Sequence, residues 1–381
     1  MAYALSSPGV YVNEVASGSA PIAGAGTSTA AFIGSFDTAD TNRAAEKAVV
    51  SCTNFTEFKN AFGGLTDLPE DLGHLHLAQA VYGFFQNGGT HCYVTRIKSK
   101  DVKPQDFADA LTALEPLDDI SIVAAPGMMT KENTAALITH CSVTQPERVA
   151  IFDSPRGATY DELQPLPASY SGTSNHVALY YPWIEVANPN GSAPLHVPPS
   201  GHIAGIFSRV DASRGVHKAA ANEVIYGAIG IEKAISRSQQ DSLNPHGINC
   251  IRRLNGNIMV WGARTLGSNN GEFTYLPVRR LLNFLRVSID RGTQWTVFEP
   301  NGPDLWAKVI RNVSAFLKSI WAAGALFGRT PEQAFYVKCD EENNPQSGRD
   351  LGYLIVEIGV AVVKPAEFVV FNISQWSGPQ K

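Results

Sequence analysis

Residues 331–375 read PEQAFYVKCDEENNPQSGRDLGYLIVEIGVAVVKPAEFVVFNISQ, and two runs within them are strongly β-prone. Leu354 to Val363 and Glu367 to Ile373 are rich in Val, Ile and Phe, side chains that suit a pleated, half-buried surface. The Lys364-Pro365 pair separates them, and a proline there either ends a strand or lies on an edge. An apolar strand so near the end of a sequence needs a partner for its backbone groups, or it becomes an aggregation site. The first run is therefore expected in the chain's own core, and the second is expected to pair outside it.

The totals describe an ordinary globular chain. Its 381 residues can bury at least one large core, and two or more domains are expected. Hydrophobic residues make up 44% and charged residues 17%, and the net charge is −5, whereas a nucleic-acid binder would show a basic excess. Residues 1–239 carry 15 Lys and Arg against 23 Asp and Glu, while residues 240–381 carry 15 against 12. The first part is thus acidic and the second mildly basic. The opening MAYALSSPGVYVNEV lacks the basic region and continuous apolar stretch of a secretory signal. Leu354 to Val363, the longest apolar run, contains Glu357 and falls well short of the roughly 20 residues of a membrane span. Cys52, Cys92, Cys141, Cys250 and Cys339 are scattered without a C-x-x-C pair, which fits buried free thiols of a reducing cytosol.

Val10, Val12 and Val15, with polar Asn13 and Glu14 between, predict a short extended stretch, and SGSAPIAGAG (Ser17 to Gly26) reads as a flexible hinge. From Ala30 the pattern alternates. Ala30 to Ser35 and Cys92 to Ile97 predict buried strands with a helix over Leu72 to Phe85 between them. Ile120 to Ala125 and Arg148 to Phe152 predict two more strands, separated by a helix over Lys131 to Cys141. That order predicts a partly parallel α/β sheet. Gln164 to Ser200 is loop-rich, with a strand-like piece at Val177 to Val186. Asp304 to Phe327 is the clearest helix: Asn301 can cap it, Pro303 suits its first turn, and Gly328 with Pro331 stops it. Leu305, Trp306, Val309, Ile310, Val313, Phe316, Leu317, Ile320 and Trp321 fall on one broad face, and Lys308, Arg311 and Lys318 on the opposite one.

No catalytic, cofactor or metal site emerges. Gly24-Ala25-Gly26 starts like a dinucleotide fingerprint, but Thr29 takes the place of the third glycine and the run precedes a strand. Gly324 to Thr330 has one residue too few between its glycines for a phosphate loop, and it ends a helix instead of opening one. His74 and His76, and the pairs His91-Cys92 and His140-Cys141, lack a second ligand pair at zinc spacing. Asp37-Thr38-Ala39, Gly88-Gly89-Thr90-His91 and Gly172-Thr173-Ser174 echo the aspartate, histidine and serine motifs of subtilisins in their order. The general base would fall on Gly88, however, and without a base the serine is not activated.

Several long strings resemble contractile tail sheath proteins, as found in phage tails, R-type pyocins and extracellular contractile injection systems. They are Pro8 to Glu14 in the pattern P-G-V-Y-V-x-E, YYPWIEV (Tyr180 to Val186), VPPSGHIAGIFSRVDASRGVHKA (Val197 to Ala219), LNPHGIN (Leu243 to Asn249), VWGARTL (Val260 to Leu266), GTQWTVFEPN (Gly292 to Asn301), AFYVKCD (Ala334 to Asp340), GYLIVEIGVA (Gly352 to Ala361) and KPAEFVVFNISQ (Lys364 to Gln375). The resemblance runs over nearly the whole chain. It implies an α/β plus α+β fold: an N-terminal strand arm over 1–20, an outer subtilisin-like, non-catalytic α/β domain over 21–265, an inner C-terminal α+β domain over 266–364, and a C-terminal strand arm over 365–381.

The same resemblance implies a structural subunit and not an enzyme, with no cofactor. Such a subunit polymerises helically with itself around an inner tube protein, meets baseplate and terminal cap proteins, and contracts to drive the tube through a target envelope. Neither nucleic-acid binding nor membrane insertion is implied, and assembly is expected in the bacterial cytoplasm as part of a phage tail or tail-like particle. Val10, Tyr11, Val12, Glu14 and Val15, together with Glu367, Phe368, Val369, Val370, Phe371 and Ile373, are the expected inter-subunit strand residues, exchanged between neighbours. Lys308, Arg311 and Lys318 are the expected tube-facing basic residues. A subtilisin-like serine hydrolase and another structural component of the same particle are the alternatives.

Overall fold

Ala30, Ala31, Phe32 and Ile33 are all fully buried, because the strand that they form is covered on both faces. This computed structural model describes every residue except 1–20, 38–42, 68–69, 99–101, 170–174, 192, 268–270 and 371–381. Twelve of its strands lie in one unit: β1 (Ala30–Ser35), β2 (Val50–Cys52), β3 (Cys92–Ile97), β4 (Ile122–Ala124), β5 (Val149–Asp153), β6 (Val177–Tyr181), β7 (Ile184–Val186), β8 (Leu195–Val197), β9 (Glu223–Val224), β10 (Ala228–Ile231), β11 (Ile248–Leu254) and β12 (Asn257–Trp261). Nine of them form a sheet in the order β2-β3-β1-β4-β5-β6-β11-β12-β9, and β10-β7-β8 form a small second sheet. From β3 to β11 the large sheet is parallel, and antiparallel strands finish it at both edges.

Alternation along β1 divides the core in two. Ala30 and Phe32 join a cluster with Leu77, Val81, Phe84, Ile203 and Phe207, whereas Ala31 and Ile33 join Phe107, Leu111, Leu114, Leu137 and Phe152. Helices Leu72–Gln86 and Ser200–Arg214 therefore cover one face, and Pro104–Leu114 and Lys131–Thr139 cover the other. The expected partly parallel sheet is present. β1 and β3 have the bounds read from the sequence, and β4, β5 and the two helices differ by a few residues at their ends. Val177 to Val186 is not one strand: Pro182 breaks it, and β6 and β7 belong to different sheets.

The first pair of helices packs through glycine. A Cβ on Gly201 would lie 2.3 Å from the Ala80 backbone, and one on Gly205 would lie 2.4 Å from the Phe84 carbonyl oxygen. The start of Ser200–Arg214 is fixed from the sheet, since the Ser200 N–H and hydroxyl both donate to the Asp153 carboxylate at 2.8 Å, where β5 ends. Burial pushes the Asp153 carboxyl up to about 7, although those hydrogen bonds and one from the Gly127 N–H oppose the shift.

The smaller unit comprises 21–23 of the described N-terminal residues, Ser288–Ala323 and Gly328–Ala361; the larger comprises Gly24–Val287, Gly324–Phe327 and, of the described residues, 362–370. The changeover lies within the Leu276–Thr293 helix, where the sequence had suggested a boundary at 265/266. The reason is that the first turns of this helix bury Leu276 in the large core and hold Arg280 against Asp211 at 2.6 Å.

In the smaller unit the helix Pro303–Ala322 buries Leu305, Trp306, Val309, Val313, Phe316 and Leu317 of the face expected from its periodicity, while Ile310, Ile320 and Trp321 of that face are only half-buried. Its ends differ from expectation. Gly302 is the cap, because the Asn301 side chain instead accepts from Trp306 Nε1 and donates to the Tyr353 carbonyl, both at 2.8 Å. The helix stops at Ala322 and not Phe327, ahead of Gly324 with its φ of +82°. Leu354 to Val363 contributes only β14 (Glu357–Val360), antiparallel to β13 (Phe335–Lys338). The strand cannot extend back to Leu354, because the Asn344 side chain takes both the N–H and the carbonyl of Ile355, at 2.7 and 2.9 Å.

Gly201→Ala should force the two glycine-packed helices apart and cost about 1–3 kcal/mol. Urea unfolding followed by circular dichroism measures this, and a midpoint equal to that of the parent would refute the close approach.

Candidate functional site

After β14 the chain enters the larger unit and is held there at two places. Val362 bridges to Leu326, and the Val363 N–H donates to the Ala325 carbonyl at 3.2 Å. Four residues on, Glu367 is gripped by three side chains. Its Oε1 accepts from Asn244 Nδ2 at 2.6 Å and from Arg264 Nε at 2.9 Å. Its Oε2 accepts from Arg264 Nη2 at 2.6 Å and from the Tyr275 hydroxyl at 2.9 Å. The forked guanidinium and the carboxylate match in shape, a geometry that gives direction as well as energy. Arg264 is itself fixed, because its backbone N–H donates to Asn249 Oδ1 at 2.7 Å.

Burial raises the Glu367 carboxyl, but the hydrogen bonds from Arg264, Asn244 and Tyr275 outweigh it and hold the group below its ordinary value. The carboxylate is thus charged wherever the clamp is closed. Beyond it the chain changes character. Phe368, Val369 and Val370 are 73%, 67% and 79% exposed, and among the described residues no strand pairs with them. Glu367, read from the sequence as part of the outward-pairing strand, is therefore engaged within its own chain. Phe371 and Ile373 lie outside the described residues, as do Val10, Tyr11, Val12, Glu14 and Val15.

Lys308, Arg311 and Lys318 are exposed on Pro303–Ala322, and none of the three forms an ion pair among the described residues. They are the cations that the periodicity placed opposite the buried face. The hydrolase positions are described only in part. Gly172, Thr173 and Ser174 lie outside the described residues, and Asp37 is exposed. Gly88, where the base would stand, has φ +106°, and a Cβ there would lie 2.9 Å from Arg209 Cβ. A serine–histidine contact that the sequence did not suggest occurs elsewhere, with Ser51 Oγ 2.9 Å from His91 Nε2. The Asp119 carboxylate lies 3.6 Å from His91 Nδ1, too far for a hydrogen bond that would orient the ring.

Among the described residues no three His, Cys, Asp or Glu side chains are grouped to hold a metal. His74 is buried with its ring bonded to the Phe62 carbonyl at 3.1 Å, and His140 is buried beside Arg148. Among the described residues, no helix is long and apolar enough to cross a membrane.

Two family models match in succession: the phage tail sheath protein central domain over residues 100–266 and the phage tail sheath C-terminal domain over residues 268–375. The chain belongs to the contractile tail sheath family. The tail sheath protein of Burkholderia phage BcepMu is 25% identical over 326 residues, an alignment covering 73% of this chain and 67% of that protein. The tail sheath protein of Enterobacteria phage T4 is 24% identical over 184 residues, which is 46% of this chain and 26% of the longer relative. Among solved structures, a chain of the contracted PVC sheath complex, from an extracellular contractile injection system, has a TM-score of 0.81 and 29% identity, covering 99% of both chains. The contracted helical sheath of the anti-feeding prophage has a TM-score of 0.79 and 29% identity, covering 97% of this chain and 99% of that one. The sheath tail protein of Desulfitobacterium hafniense shares the fold, with a TM-score of 0.60 at 10% identity.

The mixed α/β architecture is thus that of a sheath protein, and the chain is a structural subunit of a contractile sheath. Sequence reading of this sheath chain missed Arg264, Asn244 and Tyr275. The available signal was Glu367 itself, a single charge in the apolar run AEFVVFNI.

Glu367→Gln should open the clamp at a cost of about 1–3 kcal/mol, since Arg264 loses its anion. Hydrogen exchange at 363–367 should accelerate, and unchanged exchange would refute the clamp. Because the folded carboxyl is depressed, its contribution persists above the unfolded value of about 4.3 and is lost as pH falls through the folded value. The parent's exchange should rise in that acid window, and the variant's should stay flat.

Proposed function

We propose that this sheath subunit polymerises by lending the segments outside its clamp to neighbouring copies. The observation that carries this reading is the exposed Phe368-Val369-Val370 stretch directly after a saturated carboxylate clamp. Three consecutive exposed apolar residues whose backbone pairs with no strand among the described residues are costly in an isolated subunit, and addition to a neighbour's sheet removes that cost. Among the described residues the β13–β14 sheet has two strands, a size that gains stability by receiving more. Val10 to Val15 supplies the matching extended segment at the other end of the sequence. Contacts of one kind repeated from copy to copy are heterologous and generate a helix instead of a closed dimer.

In this reading the smaller unit, an inner α+β domain, turns Lys308, Arg311 and Lys318 toward an acidic surface of an inner tube. The larger, subtilisin-like unit lies outside and performs no catalysis. Baseplate and cap proteins bound the lattice, and likeness to a chain in the anti-feeding prophage baseplate assembly favours contact with a baseplate. Contraction then needs neither nucleotide nor cofactor, because the work is the difference between two packings of the same chain. The strand seam keeps copies joined while their bodies move.

Removing residues 1–15, or all residues from Phe368 onward, should leave a folded monomer by sedimentation. Sheaths of normal length in negative-stain micrographs of either deletion would overturn the exchange. Reversing Lys308, Arg311 and Lys318 to Glu should weaken assembly on purified tubes, most visibly at low salt where charges are least screened. Equal sheath yield on tubes from the triple variant in low salt would count against a tube-facing role.

A further inference from the structure

Cys52 closes β2 and Cys92 opens β3, and the antiparallel register places the two residues directly opposite each other. Opposed residues in such a ladder have Cα atoms about 4.5–5.5 Å apart, inside the range of about 4.4–6.8 Å that disulfides span. Both side chains enter the same core cluster, so they leave the sheet on one face, and the two thiols are close enough for each to shift the other's ionisation. β2 is the outermost strand of the nine-stranded sheet and pairs over three residues only. The remaining cysteines are not placed this way. Cys141 and Cys250 sit in the cluster on the other face, with Cys250 opposite Trp261 and Tyr181, and Cys339 belongs to the smaller unit.

We infer that Cys52 and Cys92 form a latent disulfide site, a covalent staple for the sheet edge that closes when the folded chain meets a hydroperoxide. The cysteines are free thiols in this structure. Within the pair the roles are unequal. The adjacent Cys92 thiol outweighs burial and holds the Cys52 thiol below its ordinary range, whereas burial and the neighbouring Cys52 push Cys92 well above it. Cys52 is fully buried while the edge is closed, so the reaction takes place as the three-residue pairing of β2 opens; Cys52 then gives its proton to solvent, and its sulfur attacks one peroxide oxygen. The O–O bond breaks, hydroxide leaves and is protonated to water, and Cys52 becomes a sulfenic acid. Cys92, losing its proton to the departing oxygen, then attacks the Cys52 sulfur. The S–O bond breaks and a second water leaves. Two thiols have lost two electrons, and one hydrogen peroxide has become two waters.

The bond would close the segment 53–91, which carries helices Phe55–Phe62 and Leu72–Gln86, and would fix the register of the edge strand. The staple stays open in a reducing compartment and closes outside one. This inference does not depend on the strand seam proposed above.

The test treats the folded full-length chain with hydrogen peroxide, alkylates free thiols with iodoacetamide in denaturant, and digests without reductant. Mass spectrometry should find the Cys52 and Cys92 peptides joined, about 2 Da below their summed mass, while Cys141, Cys250 and Cys339 are alkylated. Dithiothreitol should restore alkylation of both. The oxidised chain should melt several degrees higher than the reduced one, a gain absent from Cys92→Ala, in which dimedone should label Cys52. Full alkylation of Cys52 and Cys92 after peroxide would overturn the inference. So would a cross-link from either to another cysteine, or a Cys52 sulfinic acid without a cross-link. The parent's cross-link decides the matter even where the alanine variant fails to fold.

Discussion

A run of parallel strands has no face that it can leave to water, and this constraint organises the larger unit. β3, β1, β4, β5, β6 and β11 lie side by side and parallel, so both sheet faces need helices and each inner strand must be apolar throughout. β1 meets the requirement with AAFIGS, feeding one core through Ala30 and Phe32 and the other through Ala31 and Ile33. Helix positions follow from that burial. Gly201 and Gly205 let Ser200–Arg214 approach Leu72–Gln86 to backbone contact, and Asp153 at the end of β5 receives the first N–H of the former. A carboxyl so deep in the sheet is tolerable because its oxygens are met by Ser200 and Gly127 and because burial raises it toward its neutral form.

The arrangement around Glu367 uses the opposite device, a charge at the boundary of an apolar segment. Three donors from separate stretches of chain converge on one carboxylate, and the exposed triplet starts at the next residue. A pin of this kind separates mechanical roles along the sequence. Glu367 is held by the body of the subunit, and the described residues after it, Phe368 to Val370, are exposed. Under the strand exchange proposed above, such a pin gives the C-terminal segment a fixed root.

Legibility from sequence followed the range of the forces involved. β1 and β3 could be read with their bounds because a buried strand needs an apolar run and an ordinary turn signal, both local. The buried face of Pro303–Ala322 was legible from its period. Its ends were not: Asn301 is drawn away from capping by Trp306 and Tyr353, a contact 52 residues distant in sequence. In the same way Leu354 to Val363 has the composition of a long strand, yet Asn344 takes the backbone of Ile355 and shortens it to β14. Composition sets what a segment prefers, and a single polar side chain from elsewhere decides where the preference ends.

The sequence by itself determined the alternating α/β class, the amphipathic helix with its basic outer face, the β-prone character of the last residues and, through its long strings, the family. Only the tertiary structure decided that the helix Leu276–Thr293 passes from one unit to the other and that Glu367 is anchored by Arg264, Asn244 and Tyr275. It also brought Cys52 and Cys92 face to face across a sheet edge. The reason is physical. Periodicity and propensity act over a few residues, whereas a carboxylate clamp, a unit boundary and a strand register each depend on groups that only the folded chain brings within a few ångströms.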